Sequence, residues 1–176
     1  MEVRHMGDQL KDLLLQALEA ELGSVEIYTY ALECALRSDL QSAWQKDLDQ
    51  TNRRVGMVRD ILTTLRIDPD EQTTGREIVQ YIGESLLEAM EIAKSEGSPG
   101  GAELVACECA LLTETKDRAN WELLSRCATE MSGAAAHALR AACDAVRAED
   151  HLFHTEDWYR ELWLESLEIP AVSPSA

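Results

Sequence analysis

The chain is poor in several things at once. Aromatic residues make up only 5% of its 176 residues, with a single Phe. Prolines number four, at Pro69, Pro99, Pro170 and Pro174, so each can mark a boundary and none has to break a helix interior. No apolar run approaches the roughly 18 residues that a membrane span needs. The opening MEVRHMGDQ lacks an apolar core of signal-peptide length. Positive charge is scarce too: 16 Lys and Arg face 33 Asp and Glu, for a formal net charge of −17. Such a chain would be repelled by nucleic acid and by anionic membrane surfaces. Most of the acids read as a solvated surface that keeps the protein soluble. No C-x-x-C occurs among the five cysteines, Cys34, Cys107, Cys109, Cys127 and Cys143, and their number is odd. They lie in helical patterns among Ala and Leu, which suits small buried thiols in a reducing cytoplasm better than disulfides or a zinc site.

What is abundant is Ala, Leu and Glu, which are strong helix formers. The chain therefore reads as one all-α domain over 1–176, with its core at about 8–165 and a tail at 170–176. Asp8 is a plausible N-cap for a first helix running to about Leu36, and Ser38-Asp39 starts a second from about Leu40 to Arg66. The short joint between them predicts an antiparallel hairpin. Ile67-Asp68-Pro69-Asp70 closes the second helix. A further amphipathic helix over Glu77–Ser95 connects to the next hairpin, and Gly97-Ser98-Pro99-Gly100-Gly101 is the clearest break. A third helix spans about Ala102–Thr129, with Leu104, Val105, Glu108, Leu111, Leu112, Thr115, Ala119 and Leu123 on its inward stripe. The fourth begins near Ala134 and carries Ala141, Asp144, Ala145, Ala148, His151 and Leu152 on one face. It either continues through Trp158–Leu167 as a helical extension or is recapped at Thr155-Glu156-Asp157.

One residue stands out on the first helix. Leu10, Leu14, Ala17, Leu18, Val25, Tyr28, Leu32, Ala35 and Leu36 form a single stripe at about 100° per residue, and Glu21 falls in its middle. A carboxylate there is costly unless a metal, an Arg or a proton satisfies it.

Three pieces give this pattern a family likeness. Glu21 is followed seven residues later by Tyr28, Leu111-Leu-Thr-Glu114 opens a polar run to Asn120, and Glu149-Asp150-His151-Leu-Phe-His154 precedes Trp158. The chain resembles the ferritin-like superfamily. That resemblance implies a four-helix bundle of two antiparallel hairpins with a helical crossover, and carboxylates with E-x-x-H pairs projecting inward to hold two irons. It implies Glu21, Glu114 and His151 as iron ligands and ferroxidase-like oxidation of Fe²⁺ by O₂ or peroxide.

Two departures qualify the motif. The second helix offers Gln50-Thr-Asn-Arg53 or Thr51-Asn-Arg-Arg54 where E-x-x-H is wanted, and Ala148 stands three residues before His151. The remaining candidate metal ligands are Glu21, Glu108, Glu114, Asp144, His151 and His154. Glu114 matches by motif and Glu108 by stripe position. Hard carboxylates with imidazole suit iron or manganese, and zinc as well. The competing reading has no metal: Arg54, or failing it Arg53, forks onto Glu21, and the protein is a structural or partner-binding bundle, with a homodimer as the favoured assembly.

Overall fold

The computed structural model describes residues 2–149 and 151–170. Among them every regular element is a helix: α1 (Glu2–Cys34), α2 (Ser38–Thr64), α3 (Thr74–Glu96), α4 (Pro99–Glu130), α5 (Ala134–Glu149) and α6 (His151–Ser166). Among the described residues no helix is long and apolar enough to cross a membrane. The tail expected at 170–176 lies outside the described residues beyond Pro170.

Several boundaries follow from identifiable caps. The Thr73 hydroxyl accepts from the Arg76 amide and starts α3, and Ser98 does the same for Gly101, with Pro99 in the first turn of α4. Gly133 takes φ +86° between α4 and α5, a left-handed conformation that suits glycine. Asp8 is not a cap, because α1 already runs from Glu2 and carries Asp8 in its exposed interior. Leu36 lies past the end of α1 and is exposed, so the inward stripe stops short of it. α6 is helical throughout Thr155-Glu156-Asp157, with no recapping there.

Two apolar clusters fill the interior. The first joins Leu14, Leu15 and Leu18 of α1 to Val58, Ile61 and Leu62 of α2, Trp121, Leu124 and Ala128 of α4, and Leu139 and Cys143 of α5. The second joins Ile27, Tyr28 and Ala31 to Leu40 and Trp44, Met90 of α3, Ala102–Ala110 positions of α4, and Leu162 of α6. The early half of α1 thus meets the late halves of α2 and α4, so α1 runs antiparallel to both. Each fully buried Leu or Ile contributes about 1.5–3 kcal/mol of transfer free energy.

α3 is more than a connection, since it packs along α1 and also against α4. At Gly75 the space a Cβ would take is filled by the ends of the Gln16 and Asp12 side chains of α1. α4 packs against α1, α3, α5 and α6. Its buried positions are largely small or polar, including Ala102, Ala106, Cys107, Cys109, Ala110 and Thr113. Leu112 and Leu123 are instead exposed. The inward face of α4 therefore differs from the Leu-rich stripe expected, because small residues let neighbouring backbones approach while the larger ones stay outside.

Candidate functional site

Between the two apolar clusters lies a layer of buried polar groups. α1 supplies Glu21; α2 supplies Asp47, Gln50, Thr51 and Arg54; α4 supplies Glu114, Asp117 and Asn120; α6 supplies His151 and Thr155. On α2 and α4 these residues recur every three or four positions, so each helix presents them as one polar stripe interrupting its apolar face. Two aromatics bound the layer. Tyr28, from one apolar cluster, donates its hydroxyl to Glu114 Oε1 at 2.8 Å. Trp121, from the other, donates Nε1–H to Glu21 Oε1 at 2.7 Å.

Arg54 sits at the centre, 2% exposed. Its Nε donates to Glu149 at 2.8 Å and its Nη1 to Asp117 Oδ2 at 3.0 Å, with Glu114 3.9 Å away. Burial opposes the guanidinium charge, but Glu21, Asp117, Glu114 and Glu149 outweigh it and hold Arg54 more firmly protonated than usual. The direct Arg54–Glu21 fork expected from the sequence is absent. Arg54 joins the cluster through Asp117 and Glu149 instead, and Arg53 is exposed, reaching only Glu149 at 3.8 Å.

Glu21 is satisfied differently. Its Oε2 and the Oδ1 of Asp117 are both buried without a conventional donor. The two act on one another, the Asp117 charge raising Glu21 and Glu21 as a hydrogen-bond partner lowering Asp117, and a proton on either carboxyl would supply the donor that both oxygens lack. Burial, then the neighbouring Asp117 charge, push Glu21 well above the usual carboxylate range. Burial and Glu114 likewise push Asp117 up to about 7. Glu114 goes the other way. Burial would raise it, but the hydrogen bond and charge of His151, then Arg54 and Tyr28, hold it below its ordinary value. Asp47, pushed up to about 6 chiefly by burial, lies 3.6 Å from His151 Nε2.

His151 has both ring nitrogens engaged. Nε2 is 2.7 Å from Gln50 Oε1, and Nδ1 is 3.3 Å from Glu114 Oε1. Gln50 of α2 thus holds the imidazole as a hydrogen-bond partner.

Of the six candidate ligands, Glu21, Glu114 and His151 come together in this layer. Glu108, Asp144 and His154 do not. Glu108 and His154 are exposed, and the Asp144 side chain is 77% exposed beside Arg147. Asp144 fails because the buried face of α5 runs through Ala136, Leu139, Ala142 and Cys143, rotated from the face expected. Neither Asp117 nor Asp47 is a candidate from the sequence; Gln50 enters there only as the residue standing where E-x-x-H is wanted, and Glu149 only as part of the Glu149-Asp150-His151 run. The Glu114-x-x-Asp117-x-x-Asn120 spacing on one helix face was the available signal for the first.

A cavity of about 290 Å³ reaches this layer from outside. Arg54, Glu114, Asp117 and His151 line its inner end, Trp121 and Cys143 part of its wall, and Arg118 and Arg147, both substantially exposed, its rim. The cysteines take no part in the cluster's chemistry. All five are free, and burial pushes Cys107 up to about 12 and Cys143 to about 11, so these two stay as thiols.

Among the described residues no group of three or more His, Cys, Asp or Glu side chains is arranged to hold a metal ion. No family model, curated protein or solved structure matches the chain.

Proposed function

We propose that this chain is a ferritin-like four-helix bundle whose metal position is taken by its own Arg54, and that it works by binding a partner. In this reading α1 with α2, and α4 with α5 and α6, are the two antiparallel hairpins, and α3 is the crossover. The observation that carries the proposal is the Arg54 guanidinium on Asp117 and Glu149, with Glu114 3.9 Å away. A fixed cation among the carboxylates supplies the charge that iron would supply, and it would repel an added cation. The Glu21–Asp117 proton serves the same end, because it removes a negative charge that a metal would otherwise neutralise.

A second reading keeps iron. It is supported by the convergence of Glu21, Glu114 and His151, the three residues that the family pattern would use. Fe²⁺ entering from the cavity would have to displace the proton and turn Arg54 aside. Elemental analysis followed by anaerobic Fe²⁺ titration separates the two. We expect no stoichiometric transition metal and no saturable Fe²⁺ binding. Saturable binding that disappears in Glu114→Ala and in His151→Ala would overturn the metal-free reading.

A further inference from the structure

α3 carries two apolar faces, and the fold uses only one. Val79, Leu86, Leu87 and Met90 turn inward. A second stripe, Ile78, Ile82, Ser85, Ala89 and Ile92, is spaced 4-3-4-3 along the helix and faces outward; the three isoleucines are each more than half exposed. Alternate steps of three and four place these residues on one line about 21 Å long, the seam that a second helix fills with interlocking side chains. Small Ser85 and Ala89 at its centre admit a close backbone approach. Tyr81, 71% exposed, widens it.

Charge says what covers this seam. Glu77, Glu84, Glu88 and Glu91 line its outer flank, all exposed. On the other flank, Cys109 Sγ meets the Leu86 carbonyl at 3.6 Å, which sets α4 alongside α3. Glu108 and Leu112, close to Cys109 in sequence on α4, are exposed. The nearby cations are already engaged, Arg76 with Glu19 and Lys94 with Glu33. A second copy of the chain paired antiparallel would therefore set carboxylate flank against carboxylate flank, and any pairing of copies works against a net charge of −17.

We infer that the outer face of α3 binds an amphipathic helix of a partner protein, apolar along one seam and flanked by Lys or Arg. This deepens the partner-binding reading above and rests on it, but the two can fail separately, since Fe²⁺ titration does not involve α3. The mode is helix on helix, with the apolar seam giving affinity and the acidic flanks giving selectivity and speed of association.

The test uses the full chain and two fluorescein-labelled helical peptides of about 21 residues, with a Leu seam in 3-4 spacing and either Lys or Glu on both flanks. Fluorescence anisotropy is expected to give saturable 1:1 binding of the Lys-flanked peptide and none of the Glu-flanked one. Ile78→Ser/Ile82→Ser/Ile92→Ser is expected to weaken binding at least about 10- to 100-fold, with the circular dichroism melt unchanged. Glu84→Lys/Glu88→Lys/Glu91→Lys is expected to reverse the preference between peptides. Failure of the wild type to bind the Lys-flanked peptide would overturn the inference, as would binding that survives the serine substitutions. Sedimentation showing a wild-type dimer that those substitutions split would assign the face to a second copy instead.

Discussion

At the Leu14–Leu62 end of the interior, nine or more aliphatic and aromatic side chains share one apolar volume, and no two of them are an obligatory pair. One helical turn away, at the level of Glu21, the same helices meet through a few charged groups, each with named partners: Arg54 with Asp117 and Glu149, His151 with Gln50 and Glu114, Tyr28 with Glu114, Trp121 with Glu21. The apolar ends can lose an atom and relax around the gap. The polar layer cannot, because removing one partner leaves the other buried and uncompensated. Substitutions in the two regions should therefore differ in their coupling as well as in their cost.

The largest effect is expected at Arg54. Arg54→Ala strips the cation from three buried carboxylates, and loss of about 3–5 kcal/mol is expected from chemical denaturation. The informative measurement is the double variant. Arg54→Ala with Asp117→Asn removes one of the orphaned charges and should recover part of the loss, giving a coupling energy of about 1 kcal/mol or more. Additive effects would show that the guanidinium and Asp117 act independently, and would blur the contrast with the ends.

Leu62→Ala is the matched substitution in the apolar end. It leaves a cavity among Leu14, Leu18 and Val58, and a cost of about 2–5 kcal/mol is expected. No charge change elsewhere should rescue it. A rescue by a carboxylate substitution in the middle layer would mean that the two regions are not separate.

The same contrast explains how far the sequence could be read. The apolar stripe of α1 follows from helical periodicity, and so do the helix order and most breaks, because Leu, Val and Ile at three- and four-residue spacing need only burial. Glu21 was legible as a charge on that stripe, Glu114 by the motif around it, and His151 on one face of the fourth helix. Which partners they meet was not, since it depends on the rotation of each helix about its axis. A single step of 100° took Asp144 to solvent, and on α4 the buried polar face lies half a turn from Glu108, at Asp117. α4 misled most, because an enclosed helix buries Ala, Cys and Thr and leaves Leu112 and Leu123 outside. An arginine at position 54 beside the inward face of α2 was visible in the sequence, but its partners, Asp117 and Glu149, come from helices whose registers the sequence left open.

A smaller effect is expected at the boundary between the regions. Tyr28→Phe keeps the ring in its apolar cluster and deletes the hydroxyl that Glu114 accepts from. Because the acceptor is charged, the loss is expected at about 1.5–3 kcal/mol. Measured together with His151→Ala, it should be non-additive, since both groups hold the same carboxylate. A near-zero cost would place Glu114 outside the network.

The smallest effect at neutral pH, and the sharpest test of the middle layer, is expected for Glu21→Gln. If Glu21 is the protonated member of its pair, a glutamine keeps the oxygen that Trp121 donates to and replaces the acid O–H with an amide N–H toward Asp117. The cost at pH 7 should then stay below about 1 kcal/mol, whereas removing an ionised, paired carboxylate would cost several times that. The pH dependence fixes the sign. Glu21 and Asp117 both have folded-state values raised above their ordinary ones, so folding takes up protons as pH rises past 4, and wild-type stability declines from about pH 4 through about pH 7 on their account. Glu114, held low, acts oppositely, and its stabilisation is lost as pH falls through its lowered value. Glu21→Gln cannot lose the shared proton, so its stability relative to wild type should rise across the pH 5 to 7 window. A flat difference across that window would mean that Glu21 is ionised there, and the middle layer would then need a further cation besides Arg54.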